Sequence, residues 1–271
     1  MKRFFAVLLV LISGCKPAPS PSADLASSSQ EVRDAAAKVL RATAKPPSKL
    51  KWILLTARIR AGKNKADIEE LLRPYNVTIM HGSRIASGPY YEDYQLDDYW
   101  ILECRYQDIP NSLMERKLGS GWRPYPVWPS TNFTGVWINY YANGQKFTEG
   151  YCTNGIRDGD FITYSANGSK ETAIKYDHGE ERSRTVYYLS GRINQQIQRR
   201  GSPFSSYVVD YNENGSTNYI SDRHYDNGVH QSLMTKYFPS GRVQIVDQES
   251  NSVGIRITFN EDGSTNQISD H

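Results

Sequence analysis

Cysteine is scarce: 271 residues hold three, Cys15, Cys104 and Cys152, too few for a disulfide framework. Histidine is nearly as rare. His224 and His230, with Asp222 and Asp226 nearby, match no metal-ligand spacing, so they read as surface residues. Long apolar runs are missing beyond Phe4 to Ile12, and a mean hydropathy of -0.61 leaves no candidate for a spanning helix. Charge of one sign does not accumulate either. Residues 1–132 carry 19 Lys/Arg against 13 Asp/Glu, residues 133–271 carry 13 against 16, and no basic run is longer than a pair such as Arg199-Arg200. Neutralising phosphates needs clustered Lys/Arg, so nucleic acid is not an expected partner. Hydrolase elbow, phosphate loop and dinucleotide fingerprint are all absent from the sequence. Asp158-Gly-Asp160 lacks the later ligands of a calcium loop, and Asp97-Asp98 reads as a turn rather than an acid pair. No catalytic residue, metal or cofactor is therefore expected.

What is present begins with an address. Lys2 and Arg3 precede the short apolar run, which closes in Ile12-Ser13-Gly14-Cys15. This ending resembles the lipobox of bacterial lipoproteins, and the resemblance implies cleavage after residue 14 and lipid on Cys15. Lys16 follows, where an Asp would signal inner-membrane retention in enteric bacteria, so a lipid anchor in the outer membrane of the cell envelope is expected. The Pro/Ser stretch after Cys15 cannot bury apolar surface and reads as an extended tether.

A repeat fills the second half. Small-turn dipeptides recur at Asn143-Gly144, Asn167-Gly168, Ser190-Gly191, Asn214-Gly215, Ser240-Gly241 and Asp262-Gly263, about two dozen residues apart. Such dipeptides suit two-residue type I′ hairpins, because both central residues need positive φ. Four residues before each glycine stands an aromatic: Tyr140, Tyr164, Tyr187, Tyr211, Tyr237 and Phe259. Six residues before it stands a β-branched residue: Ile138, Ile162, Thr185, Val209, Thr235 and Ile257. Both offsets are even, so the two columns share one face of a strand, the expected repeat core. A second turn series, including Asn154-Gly155, His178-Gly179 and Asn227-Gly228, falls between the first. Gly215-Ser-Thr-Asn-Tyr-Ile-Ser-Asp222 recurs with one change as Gly263-Ser-Thr-Asn-Gln-Ile-Ser-Asp270, two periods on.

Gly135-Val-Trp137-Ile-Asn-Tyr-Tyr-Ala-Asn-Gly144, continuing through Glu149-Gly-Tyr151, Asn154-Gly155 and Gly159-Asp-Phe161, resembles the bacterial MORN-repeat variant family, whose members are labelled YwqK-like and antitoxin- or immunity-like. The resemblance covers residues 133–271 and is better in the first two repeats; Arg184, Val208, Met234 and Arg256 replace the aromatics of the Trp137/Phe161 column later. It implies an elongated sheet of stacked hairpins used for binding, with no catalytic residues.

In the first half, residues 30–44 read as a short helix capped by Ser29, with Val32, Ala36, Val39 and Leu40 on one stripe. Lys51 to Ile59 fits a strand or a helix. A second helix follows Asn64 and stops at Pro74, and strands are expected at Tyr90 to Leu96 and Tyr99 to Tyr106, with Cys104 facing inward beside Trp100, Leu102 and Tyr106. The order from Ile59 through Gly62 and Asp67 to Leu72, then strands, resembles the small α+β domain of BamE/SmpA-type lipoproteins, although Asn64 and Arg73 stand where that family has threonine and glycine. A bridge between Cys104 and Cys152 stays open beside two buried thiols.

The expected organisation is thus a signal peptide at 1–14, a lipidated tether with a short helix at 15–48, a small α+β domain at 49–118, a linker at 119–132, and six hairpin repeats at 133–271. The fold class is mainly β, an antiparallel hairpin meander of MORN-variant type preceded by a small α+β domain. The expected function is an interaction surface for an unknown protein or cell-wall partner, held to a membrane through Cys15. An antitoxin that neutralises a toxin is the alternative, and an enzyme with an unrecognised site ranks third.

Overall fold

The computed structural model describes residues 21–75, 77–80, 90–107 and 112–270. The lipobox and Cys15 lie outside the described residues. The chain is mainly β, built from antiparallel hairpins in two sheets with no closed barrel.

The first sheet has four strands in sequence order, β1 (Thr78–Met80), β2 (Tyr90–Gln95), β3 (Trp100–Tyr106) and β4 (Leu113–Ser120). Two helices precede it, α3 (Leu50–Thr56) and α4 (Lys65–Leu72), after α1 (Pro21–Asp24) and α2 (Gln30–Thr43). The ambiguous segment after Lys51 is therefore helical: Trp52 and Leu55, three apart, bury one face against the sheet. Asn64 caps α4 by accepting from the Asp67 amide at 2.8 Å. Ile59, Ile68, Leu72, Tyr94, Leu102 and Cys104 meet in this core. Asp97 and Asp98 serve the fold separately. Asp97 accepts from the Tyr99 and Trp100 amides and from Trp52 Nε1, whereas Asp98 accepts the Tyr125 hydroxyl at 2.5 Å.

The second sheet is a meander of thirteen strands in strict sequence order. It opens with β5 (Pro124–Tyr125), inside the segment expected to be a linker, which pairs with Tyr141 and Tyr140. Twelve strands follow as six hairpins: β6 (Gly135–Tyr141) with β7 (Lys146–Thr153), β8 (Ile156–Tyr164) with β9 (Lys170–Asp177), β10 (Glu180–Tyr187) with β11 (Ile193–Arg200), β12 (Ser202–Tyr211) with β13 (Thr217–Asp226), β14 (Val229–Tyr237) with β15 (Val243–Ser250), and β16 (Val253–Phe259) with β17 (Thr265–Asp270).

The two turn series differ in chemistry. Asn154, His178 and Asn227 adopt positive φ together with the following glycine, as the type I′ turn requires. In the aromatic-led series only the glycine is left-handed. Gly144 donates to the Tyr141 carbonyl and Tyr141 donates to the Gln145 carbonyl, a type I turn closed by a glycine bulge, and the other five hairpins repeat it. The expected two-residue turn is thus corrected to a three-residue one at these six positions. A one-residue register shift follows in every one of the six hairpins. The bulge puts the residues five beyond each glycine on the same face as the aromatic column, and it increases the local right-handed twist.

α2 does not belong to a tether. It lies on the first hairpin, where Leu25, Ala36 and Ala37 bury against Tyr140, with Leu40, Tyr125 and Ile138 alongside. Because β5 covers only the end of β6, the backbone of Ile138 faces outward at a sheet edge. Gln30 Oε1 accepts from the Ile138 amide at 2.9 Å and Arg33 Nε donates to its carbonyl at 3.2 Å, so two helix side chains replace the missing strand. Arg33 is fully buried, yet its other donors reach Ser27 O and Gln30 Oε1 and its guanidinium stacks 3.9 Å from the Trp137 ring.

Candidate functional site

Register divides the thirteen-stranded sheet into two faces. One begins at Ile138 and Tyr140; the row through Ile138 runs by direct cross-strand pairing through Glu149, Ile162, Ala173 and Thr185 to Ile257 and Ile268. At about 4.8 Å per strand this row is roughly 50 Å long. α2 covers only its first hairpin. Tyr140 is 4% exposed, whereas Tyr164, Tyr187, Tyr211, Tyr237 and Phe259 are half-buried. The aromatic column shares one face as expected, but among the described residues it forms a closed core only where α2 lies on it; elsewhere it is one wall of a single-layer sheet.

The aromatics alternate in their bonding. In the even hairpins Tyr164 OH donates to Glu149 at 3.2 Å and Tyr211 OH to Gln196 at 2.9 Å, each acceptor standing on the preceding hairpin. The sixth has Phe259, and Val246 at the matching acceptor position, so both polar groups are lost together. In the odd hairpins Tyr140 OH donates to Asp34 of α2, while the hydroxyls of Tyr187 and Tyr237 have no partner among the described residues. The turns alternate as well. Asn143, Arg192 and Arg242 of the odd turns each donate to a carbonyl of the next turn, Ala166, Glu213 and Glu261. Tyr141 and Tyr188 do the same to the Tyr164 and Tyr211 carbonyls. The structural unit is thus a pair of hairpins, of which the Gly215/Gly263 duplication is the sequence trace.

The opposite face carries Trp137 and Phe161 with Gly150 between them. A Cβ on Gly150 would stand 1.9 Å from the Phe161 ring, so the glycine makes room for the ring above it. Residues 124–129 strap across this end. Trp137 Nε1 donates to Val127 O at 2.7 Å, and the Val127 amide donates to Asn139 Oδ1 at 3.0 Å. Between strap and sheet lies an apolar groove of about 600 Å³, bounded by Trp128, Trp137, Phe147, Phe161, Tyr176 and Arg157. The Arg157 guanidinium is 4.9 Å from both the Trp128 and Phe161 ring centres and donates to Tyr176 OH at 2.8 Å.

Other sequence candidates separate. Cys104 lies in the small-domain core and Cys152 among Trp137, Phe161 and Tyr176; both are free, so the open disulfide alternative is corrected to two buried thiols. Burial pushes the Cys104 thiol up to about 11 and raises that of Cys152. His224 pairs with Gln231 and its neighbour Tyr225 with His230, which sends the two histidines to opposite faces. Asp158 accepts from Thr153 at 2.9 Å beside the left-handed Gly159, a turn role. Asp158, Asp177 and His178 bring ligand atoms within 4.8 Å of one another, but Asp177 is already paired with Arg182 and His178. The α2 seat, the strap and the hairpin pairing escaped sequence reasoning. The last had a signal, in the aromatic, Ser or Asn that alternates three residues before each turn glycine.

Comparison with protein-family models and with curated proteins finds no match to this chain. No helix among the described residues is long and apolar enough to cross a membrane.

Proposed function

We propose that this protein is a lipid-anchored binding protein of the cell envelope, tethered through Cys15, whose hairpin array engages a protein partner through the face bearing the aromatic column. The observation that carries the reading is the largely β-branched, partly exposed row from Ile162 through Val209 to Ile268 beside the aromatic column, which among the described residues has no second layer beyond the first hairpin. Large contiguous apolar surface on a soluble chain marks an interaction site. The six glycine-closed hairpins with their aromatic column support a MORN-variant array as the finer description of the fold, and the lipobox residues support the anchor.

The test combines capture and partition. The mature protein should retain an envelope partner that a Val209→Lys/Thr235→Lys variant, folded by circular dichroism, does not retain. Cys15→Ser should move the protein from the detergent phase to the aqueous phase. Equal capture by the lysine variant overturns the assigned face, and detergent partition of the serine variant overturns the anchor.

A further inference from the structure

The first hairpin shows what this face accepts. α2 sits there by three contacts made to the sheet face and its turn: Tyr140 OH donates to Asp34 at 2.6 Å, Ala36 and Ala37 lie against Tyr140, and the helix backbone closes on the turn so tightly that a Cβ on Gly144 would stand 2.2 Å from the Ala37 carbonyl oxygen. Hairpins three and five repeat the seat. Tyr187 and Tyr237 hold the place of Tyr140 with hydroxyls that have no partner among the described residues, and Gly191 and Gly241 hold the place of Gly144, where a Cβ would meet no described atom within 4 Å. Thr185 and Thr235 stand where Ile138 does. Each seat is four strands from the next, about 19 Å, which clears the ~10 Å width of a helix.

We propose that these two seats bind amphipathic helices of a partner protein, each presenting a small-residue stripe to the sheet and a carboxylate to the tyrosine hydroxyl, as α2 does in cis. Charge favours such a partner at hairpin three. Lys170 and Lys175 of the adjacent strand lie on the same face, are exposed, and form no ion pair with a described residue. The open seats lack the sheet-edge bonds that Gln30 and Arg33 make to Ile138, so a helix there is held more weakly than α2 and exchanges. This inference rests on the face assigned above and names the class of partner that the face takes.

The probe is a labelled synthetic peptide of residues 29–44, titrated into the chain of residues 21–271, whose first seat is already filled. Saturable binding of two peptides per chain is expected. Tyr187→Phe with Tyr237→Phe should weaken it about ten- to a hundredfold, the worth of one charge-assisted hydrogen bond per seat. A peptide carrying Asp34→Ala should bind with that weaker affinity and be indifferent to the two Phe substitutions. Absence of saturable binding overturns the proposal, as does binding that responds to Tyr140→Phe alone, which would mean exchange with α2. If the peptide fails while partner capture still depends on Val209 and Thr235, the helix inference falls and the binding face stands.

Discussion

Tyr140 and Asp34 are joined by a 2.6 Å hydrogen bond across 106 residues of sequence, and this bond fastens the N-terminal helix to the repeat sheet. Burial of the Tyr140 ring, and then the carboxylate beside it, hold the phenol well above the usual tyrosine range. The proton therefore stays on the tyrosine oxygen and the bond is charge-assisted.

Tyr140→Phe should cost about 1.5–3 kcal/mol and Asp34→Ala more, because Asp34 also accepts from Gln30 Nε2 at 2.6 Å, with the double variant costing little more than Asp34→Ala alone, since both substitutions remove the Tyr140 bond. Urea melts of the four proteins measure the coupling; full additivity would show that the bond contributes nothing. Tyr187→Ala, on the uncovered part of the column, should cost less than Tyr140→Ala, because half-exposed rings lose less transfer energy than buried ones.

Stability should fall as pH rises past about 10, the ordinary tyrosine value. Tyr140, Tyr141, Tyr94 and Tyr106 are all raised by burial. The unfolded chain then releases phenol protons that the folded chain keeps, so alkali favours unfolding. Melting temperatures between pH 8 and 11 check the sign, and a flat profile would contradict it.

Gly150→Ala should destabilise by about 1–3 kcal/mol, because its methyl group would occupy the Phe161 ring position. Phe161→Leu in the same chain should recover part of that loss. Thermal melts of the single and double variants decide it.

A thiol reagent should leave Cys104 and Cys152 untouched in the native protein and label both after denaturation without reductant, since both are buried, unbridged and raised in pKa. Two thiols reactive at pH 7 without denaturant would place them at the surface.

The aromatic and β-branched columns were legible because strand periodicity is local: each repeat states its own face in its own residues. The turn chemistry was half legible. Asn-Gly fits both a type I′ turn and a type I turn with a glycine bulge, and the choice depends on whether Asn143 or only Gly144 goes left-handed, as Tyr141 and Gln145 pair across the loop. The seat of α2 was not legible. The expected stripe of Val32, Ala36, Val39 and Leu40 announces a buried face, but Val32 and Val39 are exposed and Ala37 is buried instead, and nothing in Gln30 or Arg33 points to Ile138 more than a hundred residues away. The groove under Trp128 escaped for another reason: prolines at 124, 126 and 129 signal a boundary, whereas its position depends on two side-chain bonds to the next strand, from Trp137 and to Asn139.

The alternation of turns sets how such a chain can change length. An odd turn supplies donors, Asn143, Arg192 or Arg242, and the turn after it supplies the carbonyls they reach. Loss of one hairpin would bring two donor turns together or two acceptor turns together, and would break the regular succession of these bonds along the turn edge. Loss or gain of two hairpins, about 48 residues, restores the alternation at every junction. Duplication in four-stranded steps therefore keeps the alternation, and the six hairpins among the described residues place every donor turn beside an acceptor.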